Sequence, residues 1–102
     1  MKCSRCGREL PGGKQGARQA SICGSVMGDE YIESYYYCEQ CLVYTREIYH
    51  DRFAGDDTVS VQGPIEKSKG EDLIAVIRRC PDPMNKRCRC EAHMEYFGTA
   101  LD

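Results

Sequence analysis

The sequence predicts an α+β chain, with antiparallel strands first, then a helix, then a second short helix held by metal ligands. Three observations carry this reading. Strand-type runs rich in Tyr, Val, Ile and Thr occupy much of residues 18–62. Apolar residues at helical spacing follow over 68–79. Eight cysteines in 102 residues include two C-x2-C pairs, Cys3–Cys6 and Cys38–Cys41, and a closing group of Cys80, Cys88, Cys90 and His93.

The length suits a single domain over 1–102. Within it, residues 1–53 run turn, two strands, turn, strand, with a C-x2-C on each turn. Residues 54–79 form a turn, a short strand and a helix, and 80–102 a second metal site. Hydrophobic residues make up 41 %, but that figure counts eight Cys and seven Tyr, so the apolar core is small. A chain with so little core needs a staple.

After the first C-x2-C comes a flexible Gly-rich loop, Pro11–Gly16. Two strand-like runs, Arg18–Ser25 and Tyr31–Tyr37, are joined by Met27-Gly28-Asp29-Glu30, with Gly28-Asp29 as the hairpin turn. Period-two alternation puts Tyr31, Tyr35 and Tyr37 on one face, and Ile32 and Tyr36 on the other. Beyond the second C-x2-C, Leu42–Phe53 resumes as a strand. Gly55-Asp56-Asp57 turns the chain, Thr58–Gln62 adds a short strand, and Gly63-Pro64 breaks it. Ser68-Lys69-Gly70-Glu71 reads as a capping box opening a helix, whose stripe is Leu73, Ile74, Val76 and Ile77. Arg78 and Arg79 suit its last turn, and Pro81 stops it. A second helix over Cys90–Phe97 ends at Gly98.

A C-x2-C sets two thiolates on one tight turn, the separation that a tetrahedral metal requires. Two such turns supply four sulfurs, while Cys80, Cys88, Cys90 and His93 supply three sulfurs and an imidazole within residues 80–93. Cys90 and His93, three apart on a helix, share a face. A rival grouping joins Cys38 and Cys41 to Cys90 and His93, as in a treble clef, leaving Cys3 and Cys6 to meet Cys80 and Cys88. The first grouping is favoured because it keeps sequential strands adjacent. Zn2+ is expected at both sites, ahead of iron–sulfur or disulfides. The N-terminal Met-Lys-Cys-Ser-Arg-Cys has no signal-peptide character, so a reducing, cytoplasmic compartment is expected.

The order turn, two strands, turn, strand, with Cys3, Cys6, Cys38 and Cys41 on the turns, resembles a zinc ribbon over roughly residues 1–53. The resemblance implies two knuckles clasping one Zn2+ at the end of a three-stranded antiparallel sheet. It names a scaffold that serves transcription, translation, enzyme subunits and chaperones alike, and so implies a fold more than an activity.

Each set of four ligands would close its metal, whereas a catalytic zinc keeps an open position. His93-Met94-Glu95 matches the H-x-E of zinc deaminases, but no P-C-x-x-C follows it. No phosphate loop, G-x-S-x-G or H-E-x-x-H is found, and no apolar run approaches the ~20 residues that span a bilayer. Catalytic residues are therefore not expected, nor is a membrane contact. The net charge of −2 falls to about −5 once thiolates bind two zinc ions, which disfavours nucleic acid. Arg78, Arg79, Lys86, Arg87 and Arg89 form the basic cluster best suited to an anion or an acidic partner, although such a run also serves as a solvated face that balances a negatively charged metal site. Cys23 reads as a buried small hydrophobe and His50 as a strand-end histidine. The expected function is a non-catalytic zinc-binding small subunit or accessory factor docking on a larger protein. The alternatives are a nucleic-acid-binding ribbon and a thiol-based redox or sulfur carrier.

Overall fold

The computed structural model describes residues 1–11, 17–98 and 101. Four strands, β1 (Arg18–Val26), β2 (Asp29–Cys38), β3 (Val43–Asp51) and β4 (Thr58–Glu66), form one antiparallel sheet in the order β1-β2-β3-β4. Two helices follow, α1 (Lys67–Arg79) and α2 (Glu91–Phe97). The class is α+β. The Gly-rich loop expected at Pro11–Gly16 lies, past Pro11, outside the described residues. No helix among the described residues is long and apolar enough to cross a membrane.

The first hairpin turns one residue earlier than the Gly28-Asp29 expected, with Asp29 already in β2. Met27-Gly28 carries β1 into β2 with φ of 53° and 86°, the left-handed pair that a two-residue hairpin demands. The register then places Ile22 opposite Glu33 and Ala20 opposite Tyr35, and across the next ladder Tyr35 opposite Arg46 and Tyr37 opposite Tyr44. Alternation therefore sends Ile22, Tyr35 and Tyr44 to one face, where Ile74 and Ile77 of α1 and Tyr96 and Phe97 of α2 cover them. Gly70 lets the helix come close: a methyl group at this position would overlap the Tyr44 ring. Tyr31 belongs to the same face and stacks on His50, with ring centroids 4.2 Å apart. On the opposite face Tyr36 packs against a second cluster of Cys3, Leu10, Ala17, Cys38 and Val43.

Two further expectations are corrected. Gly63-Pro64 does not end the strand; β4 runs on to Glu66, with a register shift opposite Tyr44–Arg46. Because β4 lies at the sheet edge, the missing proline amide is tolerated, and Gly63 at φ 143° absorbs the irregularity. Nor does Ser68 cap α1. The helix starts at Lys67, straight out of β4, with Glu66 at the N-cap position and no side-chain cap. Glu71 lies near Lys67, 4.0 Å away, as an i,i+4 pair.

Candidate metal centres

The first cluster grows from two turns of the same construction. In one, the Gly7 amide donates to the Cys3 carbonyl at 2.9 Å; in the other, the Leu42 amide donates to the Cys38 carbonyl at 2.8 Å. The residue just past each C-x2-C adopts left-handed backbone, Gly7 at φ 74° and Leu42 at φ 56°. That twist folds the chain back so that both sulfurs of a pair point to one side. The Cys38–Cys41 turn joins β2 to β3. The Cys3–Cys6 turn is docked against β3 by Ser4, whose amide and hydroxyl meet Thr45 Oγ1 at 2.9 and 2.7 Å. Cys6 Sγ and Cys38 Sγ lie 4.0 Å apart, and all four Sγ atoms lie within 4.8 Å of one another.

The second cluster gathers the ends of both helices. Cys80 caps the C-terminus of α1, Cys88 lies in the loop, Cys90 is the N-cap of α2, and His93 sits in its first turn. Sγ of Cys80 is 3.7 Å from Cys88 Sγ, 3.5 Å from Cys90 Sγ and 3.0 Å from His93 Nδ1. An ion with bonds of about 2.3 Å to tetrahedral sulfurs sets them about 3.8 Å apart, whereas a disulfide needs about 2.05 Å. Both clusters have the first spacing, and all the cysteines are free thiols. Either can hold a metal ion.

His93 is fully buried, and its other ring nitrogen explains its pose. Nε2 donates to the Cys23 carbonyl at 2.7 Å, which directs the Nδ1 lone pair at the sulfurs. Cys23 also donates its amide to the Pro83 carbonyl at 2.8 Å. The outer edge of β1 is thus closed by the loop and helix that carry the second cluster, and an isolated bridge between Val26 and Leu101 extends this closure. Phe97 lies so close over Gly24 that an added Cβ would stand 2.6 Å from its ring.

Within each cluster the thiols differ sharply in how readily they ionise. Cys3 is driven up by burial, yet the amides of Cys6 and Arg5 bring its thiol down to about 6. Cys41 is pushed up to about 12, chiefly by hydrogen bonding with Cys6, with burial and the other thiols adding to it. In the second cluster the His93 amide holds Cys90 at about 6, while burial and the neighbouring thiols push Cys80 to about 12. Each group thus pairs a thiol that ionises easily, Cys3 or Cys90, with one that resists ionising beside it, Cys41 or Cys80, and a divalent ion would favour the thiolate form of both. Four sulfurs in one set, and three sulfurs with a neutral imidazole in the other, fit a borderline-soft divalent ion, and that donor chemistry is the test both sites pass.

Cys23, His50 and most of the basic run have structural partners. Cys23 is buried, and burial together with the Glu30 carboxylate pushes its thiol up, away from a reactive thiolate. His50 Nε2 meets Asp29 Oδ2 at 2.8 Å, across the ladder rather than beside it at Asp51. Of the basic run, Arg79 pairs with Glu95 and Lys86 with Glu30. Arg78 reaches the Gln19 carbonyl, and Arg89 folds back onto the carbonyls of Lys86 and Cys88.

One polar chain escaped sequence reasoning. Arg46 Nη1 donates to Tyr35 Oη at 3.2 Å, and Tyr96 donates to Glu33 Oε1 at 2.6 Å. Tyr96 has spent its proton on Glu33, so the 2.5 Å contact between the two hydroxyls is donated by Tyr35. Arg46 as the lone cation of the acidic stretch 29–51 was its one signal in the sequence. No family model, curated protein or solved structure matches the chain.

Proposed function

We propose that the chain is a non-catalytic zinc protein, a small subunit or accessory factor in which two structural Zn2+ ions hold a surface for docking on a larger protein. The observation that carries this reading is the closure of both donor sets: each offers four ligand atoms within 4.8 Å, leaving no position for a substrate. The docking part rests on Met27 and Phe53, 89 % and 86 % exposed at the end of the sheet away from the Cys38–Cys41 turn. Nucleic-acid binding is less favoured, because Arg78, Arg79, Lys86 and Arg89 are engaged within the chain.

The deciding experiment is elemental analysis of the untagged protein as purified, with identification of any stoichiometric companion. Two zinc ions per chain and a larger protein that is lost on Met27→Asp with Phe53→Asp are expected. Iron with visible absorption would overturn the metal assignment. A zinc-loaded chain that brings down no larger protein would overturn the docking role.

A further inference from the structure

The two edges of the sheet are treated differently. The outer edge of β1 is closed by Pro83, His93 and Leu101, as described above. β4 has β3 on one side and, among the described residues, no strand on the other. It is exposed along nearly its whole length, Ile65 excepted. Edge strands are ordinarily blunted by charge, proline or a bulge. Here Gly63-Pro64 blunts one end and Asp56-Asp57 flank the other, but the five residues between, Thr58-Val59-Ser60-Val61-Gln62, carry no charge and no proline.

The pattern within those five residues is self-complementary. Val59 and Val61 lie on the face away from the helices, opposite Tyr49 and Glu47 of β3, and are 59 % and 53 % exposed. Thr58, Ser60 and Gln62 lie on the helix-bearing face. We propose that β4 is a self-association edge, pairing antiparallel with β4 of a second copy about a two-fold axis at Ser60. That centre sets Val59 against Val61 of the second copy twice, and Thr58 against Gln62 twice, with Ser60 meeting its own counterpart. Apolar thus faces apolar on one side and hydrogen-bonding groups face one another on the other. A centre one strand repeat away, at Val59 or Val61, sets a valine against Asp57 or Gly63 instead. The result is one continuous eight-stranded sheet. The inference does not depend on the metal assignment or on the docking surface at Met27 and Phe53.

The test is sedimentation equilibrium of the full, metal-loaded chain under reducing conditions, beside a Val59→Lys/Val61→Lys variant. A concentration-dependent rise to twice the chain mass is expected, weakened by about tenfold or more in the variant, since each lysine would lie directly against a lysine of the second copy. Metal content and far-UV circular dichroism show whether the variant keeps its fold. Independently of the variant, isotope-filtered NMR on a mixture of labelled and unlabelled wild-type chains should detect Val59–Val61 methyl contacts between copies. A chain that remains monomeric at all concentrations, a dimer indifferent to the two lysines in a folded variant, or a dimer without those methyl contacts would each overturn the proposal.

Discussion

His93 does two jobs with one ring: Nδ1 faces the sulfurs, and Nε2 holds the Cys23 carbonyl. The jobs can be separated. His93→Cys keeps a donor but loses the bond to β1, so the second site should still bind a metal ion, about 10-fold or more weakly. Amide exchange along β1 should rise at the same time; competition with a chromophoric chelator reads the first effect and hydrogen exchange the second. Tyr96 is a second residue whose surroundings decide its behaviour. Burial first, and then the Glu33 carboxylate, raise its phenol well above the ordinary value of about 10. A raised acid holds its proton in the folded state after the unfolded chain has lost it. Its contribution is therefore complete below pH about 10 and declines as pH rises further, by up to about 1.4 kcal/mol per pH unit. Urea unfolding between pH 8 and 11 should show a shallower loss in Tyr96→Phe than in the wild type. The thiols at Cys3, Cys6, Cys38 and Cys41 were legible one by one, because a C-x2-C is a local signature. Leu42 in left-handed backbone was not, since nothing in its side chain favours that conformation.

Among the elements, α1 is the one whose packing decides the core. Its stripe was readable from period 3.6, yet its depth was not: Ile74 and Ile77 are buried, while Leu73 and Val76 are only half-buried. Ile77→Ala should cost about 2–5 kcal/mol in equilibrium unfolding, the range for emptying a packed site. Gly70→Ala should also destabilise, against the ordinary helix-propensity gain of about 1 kcal/mol, because the methyl would meet the Tyr44 ring. A gain in stability would show that the helix can lift from the sheet at no cost. The two misread boundaries share a cause. Gly63-Pro64 ordinarily breaks a strand, and Ser68-x-x-Glu71 ordinarily opens a helix, but the chain passes from an edge strand directly into α1. Tertiary position at the sheet edge overrides both local signals.

At the scale of the whole molecule the two clusters fasten different parts of the chain. The first fastens residues 1–11 to the β2–β3 hairpin, and Cys3 and Cys38 themselves form part of a hydrophobic cluster. The second fastens both helix ends and the β1 edge. Removing metal with a strong chelator should therefore loosen the chain from its two ends inward. Amide exchange is expected to rise first over residues 1–10 and 80–97 and last over β2 and β3; uniform exchange, or none, would contradict this order. The kinds of element and the inventory of ligands were determined by the sequence itself, because turn spacing, strand alternation and helical stripes are short-range patterns. Only the tertiary structure decided which thiols share a cluster, rejecting the treble-clef arrangement for Cys3, Cys6, Cys38 and Cys41 together and Cys80, Cys88, Cys90 and His93 together. It alone also decided that a main-chain carbonyl at Cys23 orients His93, and that Arg46, Tyr35, Tyr96 and Glu33 form one chain of donors. The reason is physical: backbone carbonyls are alike at every position, and which of them meets a distant side chain depends on how the sheet and helices pack.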